Sequence, residues 1–460
     1  MSRDPSIPIV AALLSLLCTM GGVCLPSPQD STFSVPETVW KVTGSSAAIF
    51  VQLGTGVSDN YEFKIGYDSS SHGSDHNYLH QTSMTTGKSA GEKLTFTLSE
   101  GLEPNVRYYY SLAYREDPSK EWTWRNERSF VTPRSAGSSF RFCVVSDLHY
   151  DGSSLKQKNR VLLNVALDQP DFVVTLGDMV PASDQGHGKP PDCLAAYSRL
   201  GSGPEEAADI WYRAVATGLA GFAHSSMVIW VNGNHEGMAG YLFGCPQYQW
   251  VLQARKTYIP LLDQYEPNGF FGTVTWGDLQ IIWLDPLAYS TFDPYWTNNP
   301  AGYRLAEAQS LFLSQTLSAS TSRWKVICAH TLFGGIPNDP CSLGRAYARG
   351  NANYARTQGT DQNYIQSLME EYGVNAYFYG HDHMYSISEL NGVAYVVVGS
   401  GATGWWTDCL KEKYLPWSAR TDLGHLRVDV TTDSLKLSYI KASLDSSNGQ
   451  VLDTYYIYPR

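Results

Sequence analysis

The chain has 460 residues, more than one ordinary core needs, and its 43% hydrophobic and 17% charged residues exclude a disordered or low-complexity class. A formal net charge of −11 without a cluster of Lys and Arg argues against a nucleic-acid backbone as the main partner, because phosphate contacts call for grouped cations. Phosphate esters stay open as ligands, since bound metal ions can supply positive charge locally.

In chain order, residues 1–24 read as a signal peptide, with Arg3 ahead of the apolar run Ile9 to Met20 and small residues at Gly21 and Gly22. The run is short for a membrane span, which needs about 20 apolar residues; an N-terminal anchor is the competing reading. An exported, secreted product is expected, with no membrane span once the signal is removed. Cys18 and Cys24 fall in or at the edge of that segment. Cys143 and Cys328 sit in apolar runs and read as buried thiols. Cys193, Cys245, Cys341 and Cys409, in loop-like surroundings, are the disulfide candidates, with the pairing open.

Residues 33–134 read as an all-β domain: short runs such as Val39 to Val42, Ala47 to Leu53 and Tyr61 to Tyr67 are separated by Gly, Ser and Asp turns. Leu102, Pro104 and Tyr108 have the spacing of a tyrosine corner, in which the Tyr hydroxyl bonds back to the chain upstream. The region resembles a fibronectin type III module. Arg128 to Arg134 forms its last strand and Ser135 to Ser139 a linker.

From 139 to 460 the rhythm becomes β-α-β, the pattern of a layered α/β domain. Apolar strands are predicted at Phe140 to Val145, Asp171 to Leu176, Met227 to Val231, Leu279 to Leu284, Trp324 to Cys328, Ala376 to Tyr379 and Ala394 to Val398, with antiparallel-looking strands at the end. Five polar motifs follow strand ends: Asp147-Leu-His149, Gly177-Asp178, Gly233-Asn234-His235-Glu236, Ala329-His330 and Gly380-His381-Asp-His383. Ligand sites in α/β folds gather outside the carboxyl ends of strands. Any one pair alone is an ordinary polar turn; five in this order are not.

The inventory fits two borderline metal ions: four His, two carboxylates and one amide oxygen, with one carboxylate shared. Two ions about 3.5–4 Å apart polarise a phosphoryl oxygen and activate a bridging water. The lack of a thiolate favours Fe, Mn or Zn in an open site over a closed structural zinc.

The motif order resembles that of the calcineurin-like metallophosphoesterases. With the fibronectin-like module in front, the chain is similar to the plant and fungal type of purple acid phosphatase. The resemblance implies a layered β-sandwich flanked by helices after the all-β domain, and a dinuclear phosphatase acting on small phosphomonoesters through a metal-bridging hydroxide. Asp147, His149, Asp178 and His383 match the ligands of one metal, and Asp178, Asn234, His330 and His381 those of the other. His235 matches the outer histidine that contacts the phosphate and protonates the leaving oxygen. Glu236 either orients that imidazole or is an exposed loop carboxylate. One departure stands out. The purple enzymes carry a ligating Tyr three residues after the bridging Asp and no His two residues after the first Asp. Here those positions hold Pro181 and His149, which implies divalent ions and a pH optimum less acidic than theirs.

His187, His224 and His425 match no motif and read as structural or surface residues. Arg345, Tyr347 and Arg349 form either a solvated loop or one that lends a guanidinium to the substrate. Tyr289 to Trp296 and Trp405-Trp406 line a pocket mouth or pack between domains. The rival readings are a phosphodiesterase using the same two metals and a secreted binding protein with a vestigial site.

Overall fold

The computed structural model describes residues 32–150, 155–181, 204–236, 247–259, 271–285, 307–331, 361–399, 401 and 420–460. The chain divides into two compact units. The first ends at Pro133 and takes in Ala216–Met227; the second comprises Arg134–Val215 and Val228–Arg460.

The first unit is all-β. Strands β1 (Phe33–Val42), β2 (Ala47–Leu53) and β5 (Lys93–Leu98) form one antiparallel sheet. Strands β3 (Glu62–Asp68), β4 (His80–Gln81), β6 (Arg107–Arg115), β7 (Thr123–Trp124) and β8 (Arg128–Val131) form the other. Along β5, Leu94, Phe96 and Leu98 are buried while Thr95 and Thr97 face out, the alternation of a one-sided strand. The Tyr108 hydroxyl donates to the Gly101 carbonyl at 2.7 Å and accepts from the Glu103 amide at 2.9 Å, so the tyrosine corner is present.

The second unit holds two six-stranded sheets. The first runs β11 (Met227–Trp230), β10 (Phe172–Thr175), β9 (Phe140–Val145), β18 (Gly424–Val430), β19 (Leu435–Lys441), β20 (Val451–Ile457). The second runs β12 (Gly272–Trp276), β13 (Leu279–Trp283), β14 (Trp324–Cys328), β15 (Ala376–Tyr379), β17 (Val393–Val398), β16 (Tyr385–Leu390). Strands β9 and β10 are parallel, as are β13, β14, β15 and β17, whereas β12, β16 and β18 to β20 pair antiparallel. The parallel strands carry apolar runs, such as Phe142 to Val145 and Ala376 to Tyr379, because both of their faces are covered.

Aromatic rings join the two sheets: Phe142 of β9 stacks on Phe172 at 4.9 Å and meets Phe378 of β15 at 6.3 Å. On the outside of the second sheet, Leu313 and Leu317 of a helix over Glu307–Ala319 and Ile365 and Met369 of one over Asp361–Glu371 pack on Ile282, Ile327, Tyr377 and Tyr395. Each such side chain, fully buried, contributes about 1.5–3 kcal/mol. A further helix, Leu155–Asp168, buries Val161, Leu162 and Val165. Among the described residues no helix is long and apolar enough to cross a membrane.

Cys143 and Cys328 are free and buried in β9 and β14. The signal segment and Cys18, Cys24, Cys193, Cys245, Cys341 and Cys409 lie outside the described residues.

Candidate metal centre

Every polar motif stands just beyond the carboxyl end of a strand. Asp147 follows β9, Asp178 follows β10 and the 233–236 turn follows β11, all in the first sheet; His330 follows β14 and His381 follows β15 in the second. The site therefore forms where the two sheets present their strand ends together. Backbone bonds lock the loops in register: Asp147 N to Gly177 O at 3.0 Å, His149 N to Asp178 O at 2.9 Å, and Gly380 N to His330 O at 3.0 Å.

Two donor groups result, and they share one residue. Donor atoms of Asp147, His149, Asp178 and His383 lie within 4.8 Å of one another, and those of Asp178, His330 and His381 do the same. His149 Nε2 is 3.0 Å from His383 Nε2, His383 Nε2 is 3.5 Å from Asp147 Oδ1, and His149 Nε2 is 3.7 Å from Asp178 Oδ2. On the other side His330 Nε2 is 3.2 Å from both Asp178 Oδ2 and His381 Nδ1. His330 Nδ1 donates to the Leu176 carbonyl at 2.7 Å, since a carbonyl can only accept, and this leaves the Nε2 lone pair aimed at the group.

The charges inside fit a cation. Burial pushes Asp147 up to about 8, with the Asp178 carboxylate adding to the rise. Burial also works to raise Asp178, but His330 and His235 outweigh it and hold its carboxyl well below the usual range. Burial works to lower His330, but Asp178 raises it to about 10. His149 is held well below the ordinary histidine value by burial and then by the His235 ring. Lone pairs and carboxylates converging in a buried place are satisfied together by divalent ions, which replace the protons these groups otherwise need. Bonds of about 2.0–2.2 Å put the ligands of one ion about 3–4 Å apart, the scale seen here.

The backbone tells the same story. Nine described non-glycine residues have positive φ, and five of them are Asp147 (54°), His149 (42°), Asp178 (51°), His381 (70°) and His383 (45°). Such strain concentrates where geometry serves a site rather than stability. Gly233 and Gly380 are required by close approach: a Cβ on the first would overlap Asp178, and on the second Ser146 and Asp147.

Burial is graded. Asp147, Asp178 and His330 are at most 1% exposed, whereas the side chains of His149, His383 and His235 are 14%, 16% and 18% exposed and form the open side. His235 donates its backbone N–H to Asp178 Oδ1 at 2.8 Å, and its ring meets that of His149 edge-on at 4.6 Å. Its Nε2 is 3.9 Å from Asp178 Oδ2. Asn234 lies in the short 3-10 turn with His235 and Glu236, and its side chain is outside the described set.

Glu236 does neither thing expected of it. It is buried, not exposed, and its carboxylate makes no hydrogen bond to the His235 ring, whose Nδ1 has no hydrogen-bond partner among the described residues. The carboxylate instead accepts four backbone N–H groups, from Asp178 at 2.8 Å, Met179 at 2.7 Å, Val180 at 3.4 Å and Gly233 at 2.6 Å. The amides exposed by the left-handed turn at Asp178 form a nest for an anion and capture it.

Two supporting residues escaped the sequence reading. Lys158 is buried with its Nζ donating to the His149 carbonyl, and the neighbouring Asn159 accepts from the Tyr150 hydroxyl. The available signal was periodicity: Lys158 shares its helix face with Val161, Leu162 and Val165, where an aliphatic residue belongs. His425 is buried, not on the surface. Its Nε2 is 2.7 Å from Asp168 Oδ2, Arg427 donates to Asp168 Oδ1 at 3.0 Å, and the donor atoms of Cys143, Asp168 and His425 form a third close group. His224 Nδ1 is 2.9 Å from the carbonyl of Ala220, in the last turn of the helix Pro204–Ala223 that His224 follows. His187, Arg345, Tyr347, Arg349, Tyr289 to Trp296, Trp405 and Trp406 lie outside the described residues.

Residues 140–385 match the model of the calcineurin-like phosphoesterase family, and the chain belongs to it. Among solved structures it is similar to a purple acid phosphatase from yellow lupin (Lupinus luteus), with TM-score 0.63 and 17% identity over 92% of this chain and 74% of that one. It is also similar to PhoD, with TM-score 0.65 and 15% identity over 94% of this chain and 90% of that one. At these identities the likeness is one of fold. No curated protein matches the sequence. The family defines a metal-dependent phosphoester hydrolase acting on small phosphate esters.

Proposed function

We propose that this chain is an exported dinuclear metal phosphatase that hydrolyses phosphomonoesters. The observation that carries the reading is the single carboxylate, Asp178, shared between two groups of converging donors. Asp147, His149, Asp178 and His383 would hold one divalent ion, and Asp178, Asn234, His330 and His381 the other, drawn from Fe, Mn and Zn. Two such ions, when bound, supply Lewis acidity toward a phosphoryl oxygen and lower the pKa of water. His235, fixed at the open side by the hydrogen bond from its backbone N–H to Asp178 Oδ1, receives a phosphate oxygen and protonates the leaving oxygen. Export is supported by the N-terminal run after Arg3.

The ester class is tested with p-nitrophenyl phosphate and bis(p-nitrophenyl) phosphate under the same metal supplement. The monoester is expected to have the higher kcat/KM by at least about tenfold, or about 1.4 kcal/mol in the barrier. A ratio inverted in favour of the diester overturns the monoesterase reading and makes the chain a phosphodiesterase.

Among the described residues the proposed site has no tyrosinate for iron(III). Pro181 stands where the purple enzymes have their Tyr. The hydroxyl of Tyr150 is engaged by Asn159 and that of Tyr385 by Asp453, and burial raises the pKa of both phenols. A neutral imidazole at His149 leaves the pair one negative charge short of a tyrosinate site, which favours divalent ions. The iron-loaded protein is therefore expected to lack a strong visible charge-transfer band. A band that disappears in Tyr150→Phe or Tyr385→Phe contradicts this.

A further inference from the structure

We propose that Glu236 is a positioning residue of the metal centre, which sets Asp178 and His235 in place by clamping the 178–180 loop to the 233–236 turn. The inference rests on the dinuclear reading above and goes beyond it, because among the described residues the Glu236 carboxylate hydrogen-bonds to backbone N–H groups and to no candidate ligand side chain.

The bonds are arranged in pairs. Glu236 Oε2 accepts from Asp178 N and Gly233 N, and Oε1 accepts from Met179 N and Val180 N. In return, Asp178 Oδ1 accepts from His235 N at 2.8 Å. Each carboxylate thus holds the backbone of the other's segment, and the two segments close into one unit. Arg255, buried on the helix over Gln247–Tyr258, adds a bond from Nη1 to the Glu236 carbonyl at 3.3 Å.

This arrangement has a purpose in the local conformation. Asp178 holds φ at 51°, in the left-handed region that residues with a Cβ adopt uncommonly, Asp and Asn more readily than most. That turn aims the amides of Asp178, Met179 and Val180 at one point, and a buried anion there stabilises the turn. With the anion gone, three inward-facing N–H groups lose their acceptor and the loop is released toward negative φ. Its carboxylate is then carried away from His330 and His149. A neutral amide cannot substitute: Glu236→Gln presents an NH2 group to one pair of N–H donors, donor against donor. Glu236→Asp keeps the charge but is one methylene short of spanning both pairs.

The test measures metal affinity rather than turnover alone. Zn²⁺ is titrated into chelator-treated wild-type protein, Glu236→Gln and Glu236→Asp, in competition with a chromogenic chelator, and Tm is recorded for each. Leu313→Ala, a truncation in the apolar cluster on the second sheet, serves as a destabilised control. Zn²⁺ affinity is expected to fall about 10- to 100-fold in Glu236→Gln, the range found when a group that orients metal ligands is removed. A smaller loss is expected in Glu236→Asp, and none in Leu313→Ala despite its lower Tm. The kcat for p-nitrophenyl phosphate in Glu236→Gln should recover in part with excess Zn²⁺. If both Glu236 variants lose Tm but bind Zn²⁺ as tightly as wild type, the residue is only a structural brace and the proposal is overturned. Should Glu236→Gln fail to fold, Glu236→Asp decides by the same criterion. A wild-type protein that binds no Zn²⁺ or Mn²⁺ overturns the metal-centre reading itself, a result distinct from equal binding by wild type and variants.

Discussion

Asp178→Asn is expected to reduce hydrolysis by roughly 10³-fold or more, equivalent to about 4 kcal/mol of transition-state stabilisation, while the protein stays folded. Asparagine has nearly the same shape, so the bond from His235 N to Oδ1 and the capture of the 178 amide by Glu236 are both retained. What goes is the negative charge placed between the two donor groups. His330 is held at about 10 largely because Asp178 faces it, so in the metal-free variant its pKa should drop markedly. Binding of both ions should weaken together, because the lost ligand is common to them. Metal analysis of the purified variant checks this alongside its rate. Near-normal turnover, or loss of one ion only, contradicts a shared carboxylate.

His235→Ala is the second large effect, and its signature is selective. The ring is 18% exposed at the open side and belongs to neither donor group, so metal content should be unchanged. Turnover of alkyl phosphates should fall by roughly 10²–10⁴-fold, the usual worth of a positioned proton donor. Nitrophenyl phosphate should suffer much less, because nitrophenolate departs without protonation. Steady-state rates across leaving groups of graded pKa measure the difference as a steeper dependence in the variant. Equal losses for all esters mean that His235 binds phosphate without donating a proton, and loss of metal means that it is a ligand.

The placement of the site was legible because two signals coincide along the chain. Runs such as Phe142 to Val145 and Tyr377 to Tyr379 are apolar on both faces, which marks parallel strands, and a polar motif follows each at the end where such sheets bind ligands. Tyr108 was readable because its corner is local, closing within seven residues. Contacts that depend on backbone conformation were not. Nothing in the letters of Glu236 says that a left-handed turn 58 residues away turns three amides toward it. The pairing of His425 with Asp168, 257 residues apart, required knowing that β18 lies beside β9. Lys158 was concealed in the opposite way, as a charged residue on a face whose periodicity belongs to the core.

A metal titration of chelator-treated protein, with bound ions counted and phosphate-ester hydrolysis followed on the same samples, tests the dinuclear site. Two divalent ions per chain, with activity appearing as the pair of sites fills, are the predicted result. Hydrolysis that persists in excess chelator, or a protein that binds no divalent ion at the histidine cluster, would contradict a dinuclear metal phosphatase.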